Sequence, residues 1–158
     1  MLLKNIIQED FSNYKTCSML LGFPSCTWKC ERDCDQKGLC QNSELAKSPS
    51  IEISLDRIIA TYLANPLSSA IVCGGLEPFD SWGDLYNFIS EFRKVSEDSV
   101  IIYTGYNKEE ISEYLPKLEQ FRNIIIKFGR FIPGHRRHYD EVLGVSLASM
   151  NQYAERIS

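Results

Sequence analysis

The chain is poor in the features that mark membrane, exported or nucleic-acid-binding proteins. No window of its 158 residues reaches the roughly 18 apolar side chains that a membrane span needs. The opening MLLKNIIQEDF lacks the apolar run and small-residue cleavage site of a signal peptide, so a cytoplasmic location is expected. Basic charge is not in excess: 17 Lys and Arg face 21 Asp and Glu, a net charge of −4. A nucleic-acid surface has no electrostatic footing on such a chain. No repeat, low-complexity tract or linker divides it, and one domain over residues 1–158 is expected. Histidine is scarce. Its two copies, His135 and His138, lie in GHRRHYD, which reads as a solvated basic loop before it reads as a metal site.

Cysteine is not scarce. Six occur, four of them in the fifteen residues CTWKCERDCDQKGLC: Cys26, Cys30, Cys34 and Cys40. A chain of this length, 44% hydrophobic, buries enough core to fold without disulfides. In a reducing compartment such a cluster points to metal or redox chemistry. Cys17 and Cys73 stand alone in apolar surroundings and read as small buried hydrophobes.

The remaining pattern alternates strands and helices. SMLLGF (18–23) reads as the first buried strand, and the cysteine segment follows as a loop from 24 to 49. A loop that long is commonly functional. SLDRIIATYLAN (54–65) has apolar residues at helical period, with Ser54 as N-cap and Pro66 as its end. SSAIVCGG (68–75) reads as a strand entering a glycine turn, and residues 80–95 as an amphipathic helix burying Leu85, Phe88, Ile89 and Phe92. SVIIYTGY (99–106) is strand-like. Residues 107–121 read as a helix opened by Asn107 and Glu110 at capping-box spacing and kinked or divided by Pro116. NIIIKFG (123–129) reads as a strand, and 142–149 as a last one. This order predicts an α/β fold with a mainly parallel sheet. Right-handed crossovers put the helices on one face if that sheet curls, on both if it stays open. Ligands collect at the carboxyl ends of parallel strands. The cysteine loop, GGLEP and YTGY all follow strands, so they should meet on one rim.

Four thiolates could close a tetrahedral zinc site. The spacing C-x3-C-x3-C-x5-C has no CxxC pair, however, and no histidine nearby. An iron–sulfur cluster also takes thiolates and can keep one iron open. Lys29, Arg32 and Lys37 between the cysteines would favour the thiolate form. The cysteines alone leave zinc and iron–sulfur as equal alternatives.

A cysteine loop after the first strand, GGLEP after the second and IIYTGY after the third resemble the radical S-adenosylmethionine proteins. The likeness is greatest to the activating proteins of anaerobic ribonucleotide reductase, and it runs from about residue 18 to 152. YTGYNKEEI (103–111), KFGRFI (127–132) and ASMNQY (148–153) resemble segments of that family. Two departures stand out. The family pattern is C-x3-C-x2-C, with Asn following the third cysteine at a short interval. Here Asp33 occupies the expected third position, while Cys40 is followed by Gln41 and Asn42. The resemblance therefore implies Cys26, Cys30 and Cys40 as ligands, with an insertion that loop-closure entropy tolerates, and Cys34 as the alternative third ligand. The second departure is Leu76, inserted into the family's Gly-Gly-Glu-Pro.

What the resemblance implies is a partial, open β/α barrel carrying a [4Fe-4S] cluster and S-adenosylmethionine. Gly74, Gly75, Glu77, Thr104 and Asn151 would contact that cofactor, and no catalytic residue is expected beyond cluster and cofactor. Glu77 would sit near the methionine amino group. Gln152 is a further candidate beside Asn151, and Arg130 a candidate carboxylate partner. Each has a plainer reading: a strand-to-helix turn for the glycines, a local side-chain–backbone bond for Thr104, a strand cap for Asn151, a surface position for Arg130. The implied reaction is reductive cleavage of S-adenosylmethionine to a 5′-deoxyadenosyl radical, which forms a glycyl radical on a larger partner enzyme. An electron donor such as flavodoxin or ferredoxin is implied as well, and neither nucleic acid nor membrane is expected. A chain this short should leave the cluster mouth open, rimmed by exposed apolar residues for the partner to close. The competing readings are a zinc-binding interaction module and a cluster that only carries electrons.

Overall fold

The computed structural model describes residues 1–35 and 37–158. Four runs rich in Ile, Val, Leu and Phe form its centre: β3 (Ser18–Phe23), β5 (Ala70–Gly75), β6 (Ser99–Tyr103) and β7 (Ile124–Phe128). They pair in parallel in that order. Strands buried on both faces need apolar side chains on both, hence continuous rather than alternating hydrophobicity. Antiparallel edges flank them: β2 (Asn5–Asp10) beside β3, and β10 (Tyr153–Arg156) beside β7. The six-stranded sheet is open, with the order β10-β7-β6-β5-β3-β2.

The helices that bury side chains pack on one face of this sheet. α3 (Leu55–Ala64) and α4 (Trp82–Phe92) bury Ile58, Ile59 and Tyr62, and Leu85, Phe88, Ile89 and Phe92. These pack with Met19, Leu21, Ile71, Cys73, Val100, Ile102, Ile124 and Ile126. Each fully buried Leu, Ile or Phe contributes roughly 1.5–3 kcal/mol. Ser54 caps α3 by accepting from the Arg57 N–H at 3.3 Å. On the opposite face, Ala70, Val72, Ile101 and Ile125 are covered by Tyr14, Leu143 and Leu147.

At the C-terminal side one expectation holds and one needs correction. Residues 107–121 are divided, the outcome expected of Pro116. They give a 3₁₀ turn (Lys108–Ile111) and the short α5 (Leu115–Leu118), with Pro116 in its first turn. A proline has no N–H to continue a helix through itself. The capping box is present, Asn107 N–H donating to Glu110 at 2.8 Å. The last strand of the sheet is β10, not residues 142–149. Val145–Leu147 (β9) instead pairs with His138–Asp140 (β8) in a separate hairpin. Asp140 sets this arrangement, accepting from the N–H groups of Leu143 and Ala154, both at 2.9 Å.

The N-terminus adds β2 and a two-residue ladder between β1 (Leu2–Leu3) and β4 (Ile51–Glu52), which the sequence pattern did not show. The cysteine loop carries two helices of five residues, α1 (Lys29–Asp33) and α2 (Ser43–Lys47), neither burying a side chain.

Candidate functional site

The carboxyl ends of β3, β5, β6 and β7 open onto one cavity of about 630 Å³. The cysteine loop, Gly74 to Glu77, Thr104 and Gly105, and Gly129 and Arg130 all line it. The expected meeting on one rim is what the sheet produces.

Three of the four clustered cysteines, Cys26, Cys30 and Cys40, line this cavity. Cys34 caps the end of α1, is exposed and lies outside the lining. Cys26 Sγ accepts from the Trp28 N–H at 3.2 Å, and Cys40 Sγ from the Asn42 N–H at 3.4 Å. The Asn42 side chain then donates to the Gly75 carbonyl at 2.5 Å, tying the end of the cysteine loop to the glycine turn. Burial pushes the Cys26 thiol up to about 11. Cys30 and Cys40 share a hydrogen bond that raises Cys30 and pushes Cys40 down to about 6. The loop's basic residues are not the cause expected from sequence: Lys29 is turned to Glu110, and Arg32 is exposed.

Gly75 has φ +84°, and a Cβ there would lie 2.7 Å from Gly22 Cα, so only glycine fits this crossing of β5 and β3. Two residues on, Glu77 is 5% exposed. Its Oε1 accepts from the Thr104 hydroxyl at 2.8 Å and the Phe79 N–H at 3.2 Å, and its Oε2 from the Gly105 N–H at 2.9 Å. Burial outweighs these bonds and pushes the carboxyl up to about 7. The inserted Leu76 is absorbed in the turn, where its N–H donates to the Phe23 carbonyl and the Glu77 N–H to the Ser25 carbonyl. The register keeps Glu77 at the cavity.

Thr104 is engaged within the protein, donating to Glu77 and accepting from the Tyr106 N–H at 3.0 Å. Asn151 is exposed and donates to the Arg130 carbonyl at 2.8 Å, outside the cavity lining. Gln152 does line the cavity. It accepts from Ala148 and Ser149 and donates to the Gly129 carbonyl. Arg130 pairs with carboxylates: its Nη2 lies 2.6 Å from Glu110 and its Nε 2.8 Å from Asp33.

Lys127 was missed from sequence. It lines the cavity, nearly buried, and donates to the Gly129 carbonyl at 2.8 Å and more weakly to Thr104 at 3.4 Å. Burial pushes its ammonium down to about 8, against the pull of Glu77. The signal was present: one cation inside IIIKF, a run otherwise fit for burial. Asp80 and Tyr106 were missed too. Asp80 accepts from the Thr27 N–H at 2.6 Å and the Tyr106 hydroxyl at 2.7 Å, fixing the loop start beside Cys26.

Among the described residues no three Cys, His, Asp or Glu side chains converge closely enough to hold a single metal ion. The donor set fits a cluster better than zinc. A cluster spreads its thiolates over separate irons, whereas zinc gathers four donors on one point. Fold and cavity thus define an α/β domain with three cysteines at the carboxyl rim of its parallel sheet. The chain belongs to the 4Fe-4S single cluster domain family, whose family model matches residues 17–149. It is a domain of the radical S-adenosylmethionine type. No curated protein and no solved structure matches the chain. No helix among the described residues is long and apolar enough to cross a membrane.

Proposed function

We propose that the protein reductively cleaves S-adenosylmethionine and activates a larger glycyl radical enzyme, with anaerobic ribonucleoside-triphosphate reductase as the first candidate partner. The observation that carries this reading is the three-thiol wall of Cys26, Cys30 and Cys40 facing a cavity that Glu77 and Lys127 also line. Cys26, Cys30 and Cys40 would hold the cluster, which when bound would supply the one electron that reductive cleavage of S-adenosylmethionine to methionine and a 5′-deoxyadenosyl radical requires. Three protein thiolates would leave one iron position for the cofactor, a reading supported by Cys34 being exposed and outside the cavity lining.

The chain's own residues bind and orient. A carboxylate has about four acceptor sites, and Glu77 uses three on Phe79, Thr104 and Gly105. The remaining site suits an ammonium group such as the methionine amine. Lys127 has three protons and two carbonyl partners, which leaves its charge for a ligand carboxylate. Gly75 lets the turn after β5 lie against the backbone of Gly22 and Phe23, which sets where Glu77 enters the cavity. Thr104 acts through Glu77, and Asn151 through the turn at Gly129 and Arg130. Ile7 lines the cavity and is 42% exposed, a single apolar side chain that a protein partner would cover.

The test is anaerobic. Wild-type protein with iron and sulfide restored, dithionite and S-adenosylmethionine is expected to yield 5′-deoxyadenosine and methionine in equal amounts. Stoichiometric zinc without iron would favour the interaction module. A reducible cluster that leaves the cofactor intact would favour an electron carrier.

A further inference from the structure

Cys30 sits on a helix with almost nothing beneath it. α1 has five residues, no buried side chain and no side-chain cap, and its N-cap Trp28 is left-handed at φ 57°. Helices this short are unstable alone. The helix is held by charge instead. Lys29 and Asp33, four residues apart, share one face of α1. Lys29 pairs with Glu110 and Asp33 with Arg130, while Arg130 also bonds Glu110 at 2.6 Å. Glu110 follows β6 and Arg130 follows β7, so two strand ends grip the Cys30 helix together.

This network differs from the protein's ordinary surface pairs. The Lys47 and Glu44 side chains are 71% and 83% exposed, and such pairs contribute little. Arg130 is 11% exposed, donating a hydrogen bond to Glu110 and facing Asp33 as an ion pair without hydrogen-bond geometry. Glu110 is fixed in turn by the Asn107 N–H at 2.8 Å, and the backbone of Arg130 by Asn151 at 2.8 Å. Glu31, also on α1, accepts from the Cys40 N–H at 3.3 Å, so the same helix locates the third thiol.

We propose that Glu110 and Arg130 are positioning residues, a clamp that orders α1 and presents the Cys30 thiol before a cluster is assembled. This rests on Cys30 being a cluster ligand and is independent of S-adenosylmethionine cleavage. Partners that orient a metal's ligands commonly matter by roughly tenfold to a hundredfold in metal affinity.

The experiment uses the full chain, cluster-free and reduced. It measures amide hydrogen exchange over residues 29–34 and the rate of anaerobic cluster uptake from iron and sulfide, with no S-adenosylmethionine present. Glu110→Gln and Asp33→Asn are expected to speed exchange in that segment and slow uptake by about tenfold. Protection of β6 and β7 should be unchanged, which a general loss of stability would not allow. Asp33→Asn acts from the exposed loop side and keeps the test valid if Glu110→Gln folds poorly. Arg130→Lys, which keeps the charge but not the fork, should fall between. Glu44→Gln should behave as wild type. Exchange and uptake within twofold of wild type in Asp33→Asn and in a folded Glu110→Gln would overturn the clamp, as would equal slowing in Glu44→Gln. Full cluster loading in Cys30→Ala would remove the ligand assignment and the clamp with it.

Discussion

Gly74 and Gly75 look alike in sequence and differ in space. A Cβ on Gly74 would meet Tyr103 Cβ at an ordinary 3.6 Å, whereas one on Gly75 would meet Gly22 Cα at 2.7 Å with φ at +84°. Gly75→Ala should therefore cost about 2 kcal/mol or more and Gly74→Ala well under 1, compared by urea unfolding. Glu77 gives a pH signature. Its folded value of about 7 lies above its ordinary 4.5, so the folded chain holds that proton longer. The stability it contributes is full below pH 4.5 and lost as pH rises through about 7. Lys127, held near 8 from 10.5, works in the other direction, with stability recovering as pH rises from about 8 to 10.5. Cluster-free wild type should thus lose stability relative to Glu77→Gln between pH 4.5 and 7, on the order of 3 kcal/mol at about 1.4 kcal/mol per pH unit. A flat difference across that range would contradict the buried carboxyl. At this scale the sequence spoke through chemistry alone. Asn42 after Cys40 pointed to Cys40 rather than Cys34; Cys40 lines the cavity, and the Asn42 side chain bonds the Gly75 carbonyl there. The hold of Thr104 on Glu77 depends on two strands meeting, which no local pattern encodes.

Elements were legible where burial is strong and periodic. Residues 18–23 form β3 to the residue, and α3, β5, α4, β6 and β7 fall inside their expected spans. The edges were not legible. β2 is NIIQED and β10 is YAER, each largely polar because an edge strand packs on few neighbours. α1 had no period to read because it buries nothing. The hairpin of β8 and β9 turns on Asp140, whose single carboxylate also reaches the N–H of Ala154, fourteen residues on. The Ser54 cap was readable, since Ser before an apolar helical period satisfies an orphan N–H. Ser54→Ala should cost about 1 kcal/mol in thermal or urea unfolding. No loss would mean that the 3.3 Å bond to Arg57 contributes nothing in solution.

For the whole molecule, the parallel order of β3, β5, β6 and β7 decides where chemistry gathers. Parallel strands end on the same side, so loops distant in sequence become neighbours, and the helices on the other face leave the cavity side open. The gathering of the loops on one rim followed from alternation of strand and helix, whereas the face the helices take did not. Which cysteines line the cavity did not follow from that alternation, because an insertion in a loop shifts spacing; the Gln41-Asn42 pair after Cys40 pointed to it only through the family resemblance. The most direct measurement is iron content and anaerobic 5′-deoxyadenosine formation in wild type, Cys34→Ala and Cys40→Ala, side by side. Cys34→Ala should load iron and cleave S-adenosylmethionine as wild type does, while Cys40→Ala should lose both. Activity kept in Cys40→Ala and lost in Cys34→Ala would contradict the account.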